Sequence, residues 1–267
     1  MIFSFVQSSF AEKKDQAPSQ PVAKVLGKDI LSSEIEPPAN FVEQYQYSFP
    51  KDELSNVLSE YRKRKLSFVL LGALFDQYIE ENHLQPTEEE LNSFLSFLRQ
   101  QKEAFLNQQS QGIEMFKKEL EKEGRSALDK EKIQAQIKAL TQDQEELKTL
   151  LDEENYKKSM QAQFDLQTAK QVVQVWKINK SLYEKYGGRV VLQQLGPEPW
   201  DAHRQFLKEK EKQKSFQIAD TQLQKLFWEY FTNEGLHQFY PPEKEKTAFD
   251  KPWWLDPDFL KKQQATQ

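Results

Sequence analysis

The chain has 267 residues, a net charge of −5, no cysteine, and 19 Phe, 9 Tyr and 5 Trp residues. The lack of cysteine excludes disulfides, thiolate metal sites and cysteine nucleophiles, and the interleaved acidic and basic residues argue against nucleic acid as a partner. Its 37% hydrophobic content is low for a compact domain. This composition favours a mainly α fold, an elongated multi-helix body with long helical arms.

The first residues, MIFSFVQSSFA, are apolar and end in Ser9-Phe10-Ala11, a small-x-small pattern. This is typical of the second half of a secretory signal without its basic region. We therefore expect residues 1–21 to be a signal-like leader and linker, and the protein to be periplasmic or otherwise extracytoplasmic. The alternative is an apolar N-terminus with weak membrane association.

An alternating pattern follows at residues 22–26 and predicts a short β-strand. Gly27-Lys28 predicts a turn with glycine at its first central position. Ser33 and Glu36 have the spacing of a capping box. Pro37-Pro38 is expected to stop that helix after about one turn.

Residues 51–82 have the clearest helical periodicity, and their middle, LSFVLLGALF, is apolar on nearly all sides. A second helix is expected to start with a capping box of Thr87 and Glu90 and to run to about Asn107. The basic run EYRKRKLSF (60–68) is compatible with contact to phosphate or acidic lipid, but a solvated helix turn is favoured.

Residues 111–186 predict a long, polar helical arm. Five apolar residues there recur at alternating steps of four and three, as in a coiled-coil seam. They are Ile133, Ile137, Leu140, Leu147 and Leu151. We favour the interpretation that the seam packs against another helix of the same chain. The alternative is that it packs against a second copy of the protein.

Gly187-Gly188 is expected to end the arm. Residues 190–193 then suggest a second strand, which we expect to pair with residues 22–26 as a minor two-strand pairing. Two further helices are predicted near 199–213 and 219–234.

No pattern in the sequence indicates catalysis. His83, His203 and His237 lie far apart and lack the spacing of metal ligands, and we find no nucleophile elbow or phosphate loop. We therefore predict no cofactor, no metal and no enzymatic activity.

Aromatic side chains near the C-terminus are the candidates for binding. They are Phe227, Trp228, Tyr230 and Phe231 in LQKLFWEYF, and Trp253 and Trp254 in FDKPWWLDPDFL. Large apolar residues packed this densely in one helix cannot all share one face. They are expected either to line the core or to offer an aromatic surface to apolar polypeptide segments.

The segment VAKVLGKDILSSEI resembles the start of SurA-type periplasmic chaperones. The matching positions are Val22, Ala23, Lys24, Val25, Gly27, Ile30, Ser33 and Glu34. FDQYIEENHLQPTEEELNSFL resembles the family's next helix, break and restart, so the resemblance covers residues 21–107. It implies a helical, ATP-independent chaperone body. The parvulin-type isomerase domain has no counterpart, so isomerase activity is not expected.

These observations predict four segments: 1–21, the SurA-like 22–110, the arm 111–186, and 187–267 completing the body. The expected function is chaperone-like binding of unfolded or nascent exported proteins. The alternative is a structural or assembly subunit that binds one fixed partner, or itself, through a helical seam.

Overall fold

The computed structural model describes residues 19–193 and 195–257, and of Asp52 it describes only the main chain. The predicted signal-like leader therefore lies almost entirely outside the described residues. The described part is mainly α, with ten α-helices and five short strands, which confirms the predicted fold class.

The strands are β1 (Pro21–Val25), β2 (Lys28–Leu31), β3 (Val191–Gln193), β4 (Gly196–Glu198) and β5 (Phe216–Ile218). The helices are α1 (Ser32–Ile35), α2 (Ala39–Gln46), α3 (Lys51–Asn82), α4 (Glu88–Leu120), α5 (Ala127–Leu151), α6 (Glu153–Lys158), α7 (Met160–Tyr186), α8 (Trp200–Lys212), α9 (Thr221–Thr232) and α10 (Pro242–Glu245). Short 3₁₀ turns occur at Glu234–Leu236 and Trp253–Leu255.

The chain forms two compact units. The first, here called the sheet unit, comprises residues 19–85 and 176–253. The second, here called the hairpin unit, comprises residues 86–175 and 254–257. The boundary falls within α7.

The predicted first strand is present and pairs with β2 in an antiparallel hairpin. Its turn differs from the prediction by one residue: the central positions are Leu26 and Gly27, both with positive φ. This register places Ala23, Val25 and Ile30 in the core, each at most 3% exposed. Burial of the alternating apolar face therefore determines the turn.

The predicted pairing of residues 190–193 with residues 22–26 is wrong. β3 forms a local hairpin with β4, and β1 pairs with β5 instead. The short loop between β3 and β4 costs less entropy to close than a long-range pairing of β3 would. The pairing of β1 with β5 is itself long-range. β5 in turn contributes the buried Phe216 and Ile218 to the core.

Two predicted helix starts have different outcomes. The capping box of Thr87 and Glu90 is confirmed, with the Glu90 N–H donating to Thr87 Oγ1 and the Thr87 N–H donating to the Glu90 carboxylate at 2.8 Å. The cap predicted at Ser33 is wrong, because α1 starts at Ser32. Glu34 accepts the Leu31 N–H there at 2.8 Å.

The core of the sheet unit lies between the three-stranded sheet and the helices α3, α7, α8 and α9. Its largest fully buried side chains include Ile30, Ile35, Leu66, Leu70, Leu74, Leu182, Phe206, Leu207, Phe216 and Phe227. The helices α3, α8 and α9 match the predicted spans closely, and α7 ends at Gly187-Gly188 as predicted.

The hairpin unit is built on α4 and α5, which run antiparallel. Gln144 of α5 donates to Ser110 at 2.6 Å, and Arg99 donates to the Leu151 carbonyl at 3.1 Å. α4 extends beyond the predicted end near Asn107, because the helix tolerates Gly112 and the chain turns only around Gly124, where φ is +84°.

Candidate protein-binding surface

Helix α2 carries a ladder of aromatic rings. Pro37-Pro38 ends the preceding helix, and Pro38 is itself the N-cap of α2. Phe41 and Tyr45 are four residues apart and share one face of α2, and Phe49, in the turn after the helix, stacks on Tyr45. The ring centroids of Phe41 and Tyr45 are 4.4 Å apart, and those of Tyr45 and Phe49 are 5.6 Å apart.

The N-terminal half of α3 lies beside this ladder. Leu54, Leu58 and Tyr61 have helical spacing and share one face of α3. The ring of Tyr61 lies 4.8 Å from that of Phe41. Partial burial raises the pKa of the Tyr61 phenol, so it remains a neutral hydrogen-bond donor at physiological pH.

Burial divides α3 sharply. None of the side chains that the structure describes from Glu36 to Lys65 is buried. In the same helix, Leu66, Leu70 and Leu74 are each 0% exposed. Tyr47 is 87% exposed and Phe68 is 67% exposed. We name the set formed by Phe41, Tyr45, Tyr47, Phe49, Tyr61 and Phe68 the aromatic surface. Tyr47, Phe49 and Phe68 are exposed, while Phe41, Tyr45 and Tyr61 are half-buried and stack on one another or on Phe49. Large apolar side chains left at the surface in this number mark a candidate interaction site.

Basic residues border the aromatic surface. The Arg62 guanidinium donates to both oxygens of the Glu36 carboxylate, from Nε at 2.9 and 3.0 Å and from Nη2 at 2.8 Å. Lys63 pairs with Glu60 one turn earlier, and Lys65 Nζ lies 5.8 Å from the centroid of the Tyr61 ring. Four consecutive basic residues, 62–65, therefore lie between Tyr61 and Phe68 in α3.

The aromatic residues singled out in α9 are packing residues. Phe227 and Phe231 are 1% and 3% exposed. Trp228 and Tyr230 are partly buried and pack against the same core. Client binding by these four side chains stays a prediction, and it would require core residues to open.

The two tryptophans of the C-terminal tail are also buried. Within the sheet unit, Trp253 lies against Gly196, where φ is +109° and an added Cβ would collide with the indole. Within the hairpin unit, Trp254 donates from Nε1 to Ser93 Oγ at 3.2 Å and meets Phe94 edge-on at 5.3 Å.

The five seam residues lie on one side of α5, the side of Gln144, which contacts α4. Ile133 is 7% exposed, and Ile137, Leu140, Leu147 and Leu151 are half-buried. The structure thus gives this seam a neighbour within the same chain.

Two of the three histidines belong to a buried polar cluster in the sheet unit. Glu198 accepts a hydrogen bond from the Tyr230 hydroxyl at 2.8 Å, and His203 Nδ1 lies 3.5 Å from the same carboxylate. His203 Nε2 is 2.9 Å from the Asn179 side-chain oxygen. His237 contacts the Tyr230 carbonyl at 2.7 Å. The members of the cluster satisfy one another.

The electrostatics of this cluster follow from its burial. Burial alone would raise the pKa of the Glu198 carboxyl, but the hydrogen bonds and charge of His203, with the Tyr230 hydroxyl, lower it below its ordinary value. Burial and the Glu198 charge raise the pKa of Tyr230. Tyr230 is therefore a neutral donor that holds α9 to β4.

A polar groove of about 390 Å³ also lies in the sheet unit, lined by residues of α3, α7 and α8. Tyr186 donates to Glu209 there at 2.7 Å. The side-chain oxygen of Gln77 is buried in the wall and has no hydrogen-bond partner among the described residues. The groove presents amides and both signs of charge.

Across residues 19–193 and 195–257, no group of three or more His, Asp or Glu side chains is placed to hold a metal ion. Nor does this part of the chain contain a helix both long enough and apolar enough to span a membrane.

Sequence reasoning missed the aromatic surface. The available signal was the spacing of aromatic residues in NFVEQYQYSF, directly after two prolines and before a long helix. The sequence instead indicated the dense aromatic clusters near the C-terminus as binding candidates, although large aromatic side chains in dense clusters usually fill cores.

Comparison with protein-family models, with curated proteins and with solved structures finds no match to this chain.

Proposed function

We propose that this protein is a chaperone-like, nucleotide-independent binder of unfolded or partly folded polypeptides. The aromatic surface is the binding site. The observation that carries the proposal is the sharp division of α3: one half fills the core, while the other half and α2 leave a run of aromatic side chains unburied.

The physical basis is reversible burial of apolar surface. Covering about 400 Å² of apolar area contributes roughly 10 kcal/mol before the costs of association. Lost translational freedom and ordering of the client offset much of this gain. The result is weak, exchangeable binding, which suits a protein that delays aggregation and then releases its client.

The resemblance to SurA-type chaperones supports the same proposal. The segment that carries it forms β1, β2 and α1, which lead directly into α2. On this basis we propose an extracytoplasmic protein whose clients are exported polypeptides and which needs no cofactor.

The test measures light scattering when a chemically denatured protein is diluted into buffer containing this chain, without ATP. We expect dose-dependent suppression near stoichiometric ratios. Replacing Tyr47 and Phe68 together by serine should raise the concentration needed for half-maximal suppression about five- to tenfold, because client contacts are lost.

The matched control replaces Met115 and Leu128 by serine. These side chains are 62% and 60% exposed but lie on the hairpin unit. The control should suppress aggregation like the native chain. If folded native chain gives no suppression, or both double variants lose it equally, the proposal fails, and a pull-down for one fixed partner becomes the next experiment.

A further inference from the structure

Helix α2 is held loosely to the rest of the sheet unit. It contains no buried residue. Across the described residues, no side-chain hydrogen bond or ion pair links α2 to another helix or strand, and the main-chain hydrogen bonds at its two ends stay within residues 38–49. A helix of eight residues also has little stability of its own. Segments with few buried contacts open at the lowest free-energy cost.

The segment that contains α2 is anchored at both of its ends. On the N-terminal side, the Glu36 carboxylate binds the Arg62 guanidinium of α3 directly before Pro37-Pro38. On the C-terminal side, Pro50 is the N-cap of α3. Prolines restrict the main chain at both boundaries. Residues 37–49, here called the α2 flap, therefore lie between two fixed points, and the ion pair lies outside the flap.

The α2 flap covers part of the apolar face of α3. Phe41, Val42 and Tyr45 are its half-buried residues. The Phe41 ring stacks on Tyr45 at 4.4 Å and lies 4.8 Å from the Tyr61 ring of α3. Separation of the two helices would expose the facing sides of both, so the apolar area open to a client would increase.

We infer that the α2 flap lifts from α3 and that an unfolded client segment binds between the two helices. This inference rests on the proposed function and describes how that site opens and closes. In the closed state the rings of α2 and α3 pack on each other. In the open state they pack on apolar residues of the client instead, so client binding stabilises the open state.

The exchange of contacts keeps the free-energy cost of opening low. The interactions that break are those of half-buried rings, and the client replaces them with interactions of the same kind. The anchors at both ends of the flap stay in place, because neither of them lies within residues 37–49. The flap thus covers part of the aromatic surface whenever no client is bound.

The experiment measures distances between pairs of spin labels by double electron–electron resonance. The native chain has no cysteine, so introduced cysteines are labelled specifically. The test pair is Gln44→Cys in α2 with Lys225→Cys in α9. The matched control pair is Asn56→Cys in α3 with Lys225→Cys. All three positions are exposed. The client is a permanently unfolded test polypeptide, and fluorescence anisotropy measures its binding separately.

The reference position in α9 gives the expected change a direction. α9 packs on the buried side of α3, where Leu70 lies. Tyr61, which α2 contacts, is nine residues from Leu70 and so lies on the opposite side of α3. Lifting of the flap should therefore lengthen the distance between positions 44 and 225.

We expect saturating client to lengthen the 44–225 distance by about 5 Å or more, the space that an extended polypeptide takes up beside a packed element. The 56–225 distance should stay the same. Client that binds while the 44–225 distance is unchanged or shorter would overturn the inference and leave the proposed function standing. Equal lengthening of both distances would also overturn the inference, since α3 itself would then move. If the folded chain binds no client, the proposed function fails and this inference fails with it.

Discussion

Tyr47 and Tyr230 are the same residue type in opposite roles. Tyr47 is 87% exposed and belongs to the aromatic surface. Tyr230 is partly buried, and its hydroxyl donates to Glu198 at 2.8 Å. A tyrosine enters a core at low cost when its hydroxyl finds an acceptor. A polar partner in the sheet unit, rather than the local sequence, therefore explains why Tyr230 packs inward.

The carboxylate of Glu198 should make the free energy of unfolding depend on pH in the acidic range. Because its pKa in the folded protein is lowered, it stabilises the fold at pH values above its unfolded-state pKa of about 4.3. That contribution is lost as the pH falls through the folded-state value. Glu198→Gln should lower the free energy of unfolding by about 1–3 kcal/mol at neutral pH, since His203 loses a charged partner.

Urea unfolding from pH 7 to pH 3 measures this effect. The gap between native chain and variant should narrow toward the acid end. Glu229→Gln, at an exposed position of α9, is the control and should leave unfolding nearly unchanged. A gap that stayed constant across the whole range would contradict the assignment of this carboxylate.

At the scale of elements, α3 shows what the sequence can and cannot predict. Its span, Lys51–Asn82, follows from helical periodicity and is confirmed. The same periodicity continues through both halves, since Leu54 and Leu58 recur like Leu66 and Leu70. Whether an apolar stripe is buried depends on which elements pack on it, and those come from distant parts of the chain.

Strand β5 illustrates the same limit. Phe216–Ile218 has three residues, too few for an alternating pattern to stand out. It lies far along the chain from β1, so no local signal links the two. The strand β1 and the turn near Gly27 could be predicted because the alternation and the glycine are adjacent in sequence, but β2 was not predicted as the partner strand.

The seam on α5 can be tested as an element of the hairpin unit. Exchanging Ile137 and Leu140 for aspartate places two charges against α4. We expect a loss of about 2–4 kcal/mol of unfolding free energy, measured by thermal unfolding, with no change of mass by light scattering. Gln136→Asp with Lys138→Asp, on exposed positions of α5, should have little effect.

A variant of Ile137 and Leu140 that kept its stability but dissociated from a larger assembly would contradict this assignment. It would support the interpretation of the seam as a contact between two copies.

At the scale of the whole molecule, the mainly α fold and most helix spans could be predicted because they rest on local periodicity, caps and glycines. The candidate site could not be predicted, because it consists of apolar side chains on which no other part of the described chain packs closely enough to bury them. Phe41 and Tyr45 are of the same residue types, and have the same helical spacing, as aromatic residues that are buried elsewhere in the chain. Only the fold shows that none of the described side chains from Glu36 to Lys65, these two rings included, is buried.

The most direct test of client binding by the aromatic surface is photo-crosslinking at single positions. A benzophenone side chain is placed at Tyr47 in one variant and at Leu128, which is 60% exposed, in another. Each is irradiated with a permanently unfolded test polypeptide. If the aromatic surface binds clients, position 47 should cross-link strongly and position 128 weakly, and excess unlabelled client should compete. Equal or absent cross-linking from position 47 in a folded protein would contradict it.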